Sequence, residues 1–133
     1  MLSKTEIEAA NWYTLTERGW AGHYILSGRC LFRRNTLIEY GFHKIIISTV
    51  GNLVDDTIPE RPVIQMGVMP GHFYETMAFY ADRRSKYFDA NVRKPVKINM
   101  STVITKHGKD IEANKMHEAV VKEIIDRIFK GNL

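Results

Sequence analysis

Cysteine is almost missing from this sequence: Cys30 stands alone among 133 residues, so no disulfide can close within the chain. That excludes the disulfide-stapled secreted scaffolds and suits a reducing compartment. No apolar run reaches the roughly 18 residues that a membrane-spanning helix needs. The opening stretch, MLSKTEIEAANWY, lacks the basic-then-apolar layout of a secretory signal. Four prolines and nine glycines are scattered without forming a linker, and no repeat or low-complexity tract interrupts the chain. A single domain over residues 1–133 is therefore expected.

The catalytic motifs with a known mechanism are missing too. No phosphate-cradling glycine loop, dinucleotide fingerprint or nucleophile elbow occurs. His23, His43, His72, His107 and His117 show neither H-E-x-x-H nor H-x₃₋₅-H spacing, and one cysteine cannot make a zinc ribbon. The pattern implies neither a metal nor a cofactor. An enzyme remains an alternative reading, as a nucleotide phosphodiesterase or hydrolase working through Glu75, His72 or His43, with Asp89 as a second carboxylate for Glu75. Cys30 sits mid-strand between Arg29 and Leu31, where a lone cysteine reads as a small apolar side chain.

What is present is 44% apolar and 26% charged residues, with a net charge of +4 from 19 basic and 15 acidic side chains. Such composition buries a core and permits an anionic partner without demanding one. Ser3 with Glu6 and Thr14 with Glu17 have capping-box spacing, and Leu2, Ile7 and Ala10 form a weak stripe, so a short N-terminal helix is expected. From Ala21 the period becomes two. Ala21–Leu26 and Arg29–Tyr40 read as strands joined by a tight turn at Ser27-Gly28. His43–Val50 follows as a central strand after a Gly41-Phe42 turn, and residues 51–61 read as a loop. Pro62–Met69 reads as a short edge strand, Pro70-Gly71 as a turn and His72–Ala81 as a long aromatic strand. Residues 82–94 read as a basic loop, and Val96, Ile98, Met100 and Thr102 as a last strand. Ala113, Met116, Val120, Ile124 and Ile128 recur at helical spacing, with Asp110 as N-cap and Gly131 as stop. The fold class is thus α+β: an antiparallel sheet of five to six strands covered by a C-terminal amphipathic helix.

The run R-C-L-F-R-R-N-T puts Arg29 and Arg33 on one strand face and Arg34 on the other, with Asn35 and Thr36 as neutral partners. Buried guanidinium groups need compensation, and arginine's planar fork suits phosphate. Structural pairing of Arg33 and Arg34 with Glu39, Glu75 or Asp55 is an equally open reading. In the aromatic strand, Tyr74 and Tyr80 share a face with Thr76, while Phe73 and Phe79 accompany Glu75 and Met77. One such ring can stack on a base, although strand aromatics more commonly fill a core. The basic loop adds Arg83, Arg84, Lys86, Asn91, Arg93 and Lys94 around Tyr87 and Phe88. The candidate ligand-binding set is Arg29, Arg33, Arg34, Asn35, Thr36, Tyr74, Thr76, Phe79, Asn91 and Arg93. No residue is assigned a catalytic or metal-binding role.

The string GWAGHYILSGRCLFRRNTLIEYGFHKIIISTVG at 19–51, with YETMAF at 74–79 and ANKMHEAVVKEI at 113–124, resembles the first type of phage anti-Thoeris protein. The resemblance implies an oligomer in the cytoplasm of an infected bacterium, sequestering a cyclic ADP-ribose-type immune signal without turnover, with cyclic di- or trinucleotides as further ligands. Ligands of that family lie between subunits, gripped by arginines, an aromatic ring and an asparagine; Arg29, Arg33, Arg34, Phe79 and Asn91 match in type. The opposed faces of Arg33 and Arg34 point the same way, toward a site built at a homo-oligomer interface. A third reading is a protein- or nucleic-acid-binding module, but +4 favours capture of one small anion over broad polynucleotide binding.

Overall fold

β-branched side chains pack well on a pleated surface, and the two segments richest in them form the centre of the sheet. In the computed structural model, which describes residues 13–66, 71–98 and 103–133, these are β2 (Cys30–Tyr40) and β3 (His43–Val54), paired in register from Tyr40↔His43 to Cys30↔Leu53. β1 (Thr14–Arg18) lies along the outer edge of β2. On the other edge of β3 lie β4 (Val63–Ile64) and β5 (Tyr74–Ala81). β6 (Ala90–Val96) and β7 (Val103–Ile104) pair with the far edge of β5. Every pairing is antiparallel, and the main path runs β1-β2-β3-β5-β6. The one α-helix among the described residues, α1 (Asp110–Phe129), covers one face. The architecture is the α+β class expected, with seven strands among the described residues where five to six were expected. No helix among the described residues is long and apolar enough to cross a membrane.

The strand period assigns each side chain to a face. Phe32, Arg34, Thr36 and Ile38 of β2 turn toward α1, together with Ile45, Ile47 and Thr49 of β3 and Thr76 and Ala78 of β5. There Ile38, Ile45, Ile47, Ala78 and Val96 pack against Val120, Val121, Ile124 and Ile128 of the helix. On the opposite face, Leu37, Ile46 and Ala81 form a smaller cluster under Phe88 and Ala90. Cys30, Val50, Leu53 and Met66 form another, with Ala21 and Tyr24 packed on it. Cys30 therefore joins Val50 instead of following Phe32 toward the helix. The alternation slips between the Cys30↔Leu53 and Phe32↔Gly51 pairs, where Asn52 adopts φ +53°.

Several local expectations give way to longer-range pairing. Thr14 and Glu17 do not cap a helix; they belong to β1, whose Glu17 and Arg18 pair with Thr36 and Asn35 of β2. Ala21–Leu26 is not a strand, and Ser27-Gly28 is not a hairpin turn. Ser27–Arg29 is a single 3-10 turn, and the segment before it folds back over the sheet onto Ser48. β3 continues four residues into the expected loop at 51–61. The basic stretch 82–94 is a loop only as far as Asp89, because Ala90 begins β6, and β6 ends at Val96. Lys109 is the N-cap residue of α1, and Asp110 is its first helical residue. The expected N-terminal helix around Ser3 and Glu6, the Gly67–Pro70 stretch and the Met100 and Thr102 positions lie outside the described residues.

The N-terminal end of α1 is locked to the sheet by one carboxylate. Asp110 Oδ1 accepts hydrogen bonds from Tyr74 Oη at 2.6 Å and Asn52 Nδ2 at 2.8 Å, and the Lys109 amide donates to Tyr74 Oη at 2.8 Å. Burial and the Asp110 bond together push the Tyr74 phenol up to about 12. This arrangement needs the Tyr74 ring to lie flat on Gly51, where a Cβ would fall 2.0 Å from Tyr74 Cδ1. Gly51→Ala is expected to displace the ring and lower stability by about 1–3 kcal/mol, the usual cost of overpacking. Urea unfolding monitored by circular dichroism measures it; an unchanged midpoint would show that the ring can move freely.

Candidate functional site

The arginines at 29, 33 and 34 go to different places. Arg29 pairs with Asp56 at 3.2 Å. Arg34 lies against α1, between Glu17 at 2.5 Å and Glu118 at 2.7 Å, with Asn114 Oδ1 at 3.4 Å. Its ion partners are thus Glu17 and Glu118, while Glu39 pairs with Lys44, Asp55 caps Thr57 and Glu75 meets two histidines. Arg33 is exposed on the opposite face and makes no hydrogen bond or ion pair among the described residues. Next to it, Asn35 is fully buried; its Oδ1 accepts from Arg18 Nε at 3.3 Å and Nη2 at 3.0 Å, and its Nδ2 has no partner among the described residues.

Thr36 and Thr76, both buried, belong to a polar chain running through the helix-covered core. Thr76 and Thr49 hydroxyls are 2.6 Å apart, Thr49 Oγ1 is 2.7 Å from His117 Nδ1, and His117 Nε2 is 2.7 Å from Thr36 Oγ1. Thr36 Oγ1 donates in turn to Glu17 Oε1. A carboxylate only accepts, so the direction of the chain follows: Thr36 gives its proton to Glu17 and accepts from His117 Nε2–H. His117 Nδ1 then accepts from Thr49, which accepts from Thr76. His117 was missed as a core residue in the sequence. The available signal was its position four residues after Ala113 and three before Val120, within the buried stripe of α1.

The open face of the sheet carries a second polar group. Ser48 is buried; its Oγ accepts the Gly22 N–H at 3.0 Å and lies 2.7 Å from His23 Nδ1. His23 Nε2 donates to Glu75 Oε1 at 3.0 Å. His72 Nε2 stands 3.3 Å from Glu75 Oε2, at ion-pair distance but without hydrogen-bond alignment. The His23 hydrogen bond, against burial, holds the Glu75 carboxyl below its usual range. Hydroxyl, imidazole and carboxylate in sequence is the order that activates a serine nucleophile. Here, however, segment 21–23 lies over the hydroxyl, and a Cβ on Gly22 would fall 2.8 Å from Ser48 Cβ. The cluster anchors the segment after β1 to the sheet. Phe79 is buried beside it, 5.7 Å from the His23 ring, and Cys30 is buried, its thiol pushed up by that burial. His43 is apart from this group, at the turn opposite Tyr40.

A cationic cleft of about 690 Å³ opens where β5 leaves the sheet. Tyr80, Ala81, Asp82, Arg83, Arg84, Asn91 and Lys94 line it. The loop between β5 and β6 is closed by the Asp82 amide donating to the Asp89 carbonyl at 2.7 Å. Asp82 Oδ1 accepts the Arg84 amide at 3.0 Å, and Ser85 Oγ donates to Asp89 Oδ2 at 2.7 Å. Bonds from the Arg84 backbone and side chain, together with the Lys94 charge, hold the Asp82 carboxyl below its usual range. Arg83 donates to the Phe42 carbonyl. The Arg93 amide donates to Asn91 Oδ1 at 3.1 Å, which leaves the Asn91 NH₂ for a ligand. Lys94 makes no ion pair among the described residues. Of the candidate set, only Asn91 lines this cleft, with exposed Arg93 two residues along β6. Tyr74, Thr36, Thr76, Asn35 and Phe79 are buried elsewhere. No group of three or more His, Cys, Asp or Glu side chains among the described residues is placed to hold a metal ion. No family model, curated protein or solved structure matches the chain.

Burial, reinforced by the Arg34 charge, lowers the His117 pKa to about 4 from a usual 6.5, against the opposing pull of Glu17 and Glu118. The unfolded chain therefore binds the proton first as pH falls. Stability from neutral His117 is complete above about 6.5 and is lost between there and about 4, amounting to roughly 3 kcal/mol. Glu17, held low by Arg34 and Thr36 in spite of burial, adds loss of the same sign in more acid solution. Denaturant titrations at pH 7 and 4.5 should show the fall, and His117→Leu should flatten it. A wild-type profile with no slope between these values would contradict a neutral buried imidazole.

Proposed function

We propose that this chain is a binding protein for a small phosphate-bearing ligand of the cyclic-nucleotide class, which it captures without turning over. The observation that carries the reading is the cleft at the end of β5, where Arg83, Arg84 and Lys94 surround the Asn91 amide and the 40% exposed ring of Tyr80. Guanidinium and ammonium groups supply charge-assisted hydrogen bonds to phosphate, Asn91 a neutral donor, and Tyr80 a face for a ring. The resemblance to the first type of phage anti-Thoeris protein supports a cyclic ADP-ribose isomer as the ligand, and sequestration of that immune signal in an infected bacterium as the role. We include homo-oligomer assembly in the proposal, because Arg33 and the 68% exposed Leu31 stand side by side on the sheet without covering.

The second reading, hydrolysis of a phosphate ester, is favoured by one observation, the Ser48–His23–Glu75 order. In that reading the segment over Ser48 must lift before any substrate reaches the hydroxyl.

One experiment separates the two. The protein is incubated with a cyclic ADP-ribose isomer, a cyclic trinucleotide and inorganic pyrophosphate, and melting is followed. A ligand that prefers the native state raises the melting temperature. Denaturing the loaded protein should return the ligand unchanged. Lys94→Ala and Arg84→Ala are each expected to weaken binding about ten- to hundred-fold, the range for one charge-assisted hydrogen bond. A hydrolysed product would overturn capture without turnover, and the absence of any shift would remove the ligand class.

A further inference from the structure

A second cleft, of about 460 Å³, lies against the other end of the same loop and is lined by Trp20, Tyr87 and Asp89. Both rings are open to solvent, Trp20 at 44% and Tyr87 at 60% exposure. Large aromatic side chains gain most from burial, so two exposed ones flanking one cleft mark a place where a ligand can supply it.

The walls are tied together from behind. The Arg18 guanidinium lies 4.9 Å from the centroid of the Trp20 ring and donates to the carbonyls of Tyr87 and Phe88, the latter at 3.3 Å. Arg18 is itself fixed on the buried Asn35 through two hydrogen bonds to Oδ1. One cation thus bridges the segment carrying Trp20 and the loop carrying Tyr87. Asp89 is positioned by the Ser85 hydroxyl and by its own carbonyl bond to the Asp82 amide. The slot is therefore assembled before any ligand arrives, which removes an ordering cost from binding.

We infer that this cleft takes a nucleobase carrying an exocyclic amino group, stacked on Trp20 and Tyr87 with the amine donating to Asp89. Stacking on a ring face accepts any base, so selectivity must come from the one polar lining group. A carboxylate accepts and does not donate, so it favours guanine and adenine, which carry an amine, over inosine's hypoxanthine and over uracil. The aromatic-plus-carboxylate wall would also suit a quaternary cation. Charge argues against that occupant: Arg18 over Trp20 and Lys86, 5.5 Å from the Tyr87 ring centroid, already bring a cation to each ring. The same two cations suit the phosphate side of a nucleotide. The inference rests on the nucleotide reading above for the source of the ring, but its test requires no phosphate.

The sequence holds two tryptophans, so Trp12→Phe leaves Trp20 as the only indole, and its fluorescence reports the cleft. Guanosine and adenosine should quench it saturably, and inosine should bind about ten-fold more weakly than guanosine. Tyr87→Ala should weaken guanosine about ten-fold, in line with the loss of one stacking partner. Asp89→Ala, which removes the acceptor, should abolish the preference for guanosine over inosine while unfolding in urea stays cooperative. If Trp12→Phe does not fold, calorimetry on the wild-type chain and on Trp20→Phe gives the same comparison. No saturable binding of any nucleoside at millimolar concentration, or choline binding in preference to them, would overturn the inference. Pyrophosphate binding without nucleoside binding would sink this cleft and spare the first; nucleoside binding without pyrophosphate would do the reverse.

Discussion

An imidazole sealed between a helix and a sheet has two nitrogens to satisfy and no water to do it, so the surrounding backbone must bring the partners to it. His117 imposes that condition on this fold. Its two partners come from adjacent strands, Thr36 of β2 and Thr49 of β3, and each is satisfied one step further out, by Glu17 of β1 and Thr76 of β5. Four strands and the helix are thereby held in one register by a single line of hydrogen bonds. A one-residue slip of any of those strands would turn its polar member to the opposite face and leave a buried donor or acceptor unmatched. The carboxylate at the end of the line removes the remaining freedom, since it can only accept. Arg34 then follows from Glu17: a carboxylate at the rim of a core needs a cation beside it, and the neighbouring position on β2 supplies one.

The same strand alternation that builds this line leaves a different set of side chains on the other face. β1 shows it most plainly, sending Glu17 under the helix to Thr36 and Arg18 to Asn35 on the open side. With no helix there among the described residues, the open face is covered by irregular segments, each fixed by specific polar contacts. The stretch after β1 is held by Ser48, His23 and Glu75. The loop between β5 and β6 is held by Arg18 and by its own Asp82 and Asp89. Both clefts border that loop because irregular segments, unlike a packed helix, leave gaps between themselves and the sheet.

Much of this was legible where the signal is local. Ala113, Val120, Ile124 and Ile128 recur at helical spacing, and alternation along Cys30–Tyr40 separates Arg33 from Arg34 correctly. The failures share a cause. Thr14 and Glu17 carry the spacing of a helix cap, but pairing with β2 decides their conformation. Ser27-Gly28 reads as a hairpin turn only if Ala21–Leu26 is a strand, and that segment is placed by contacts with Ser48, more than twenty residues away along the chain. β6 is an edge strand whose exposed positions mix apolar Val92 and Pro95 with Arg93 and Lys94, so no apolar alternation announces it. The basic and aromatic residues of the two clefts were visible as types, except Trp20, which no pattern in the sequence marked. What brings them together, the closure of the 82–89 loop and its tether to Arg18, is tertiary and leaves no pattern in the chain.

The arginine-rich strand shows how little a charge count says about ligand binding. Arg29 and Arg34 are each committed to a carboxylate, and Arg34 to two, so a phosphate reaching either would have to displace an ion pair already in place. Such displacement gains little, because one charge-assisted contact is exchanged for another. Lys94 and exposed Arg93 on β6 have no such rival among the described residues, and Arg83 holds only a neutral carbonyl. The Arg84 guanidinium meets Asp82 through Nε alone, at 3.4 Å, with the side chain 91% exposed. A neutral acceptor yields to a phosphate far more readily than a carboxylate does, since the anion adds Coulomb attraction that the carbonyl lacks. The availability of a cation is therefore set by its existing partners. By that measure the cations freest to meet an anion stand in the turn and edge strand beyond β5, whereas Asp56 holds Arg29, Glu17 and Glu118 hold Arg34 against the helix, and Arg33 stays exposed.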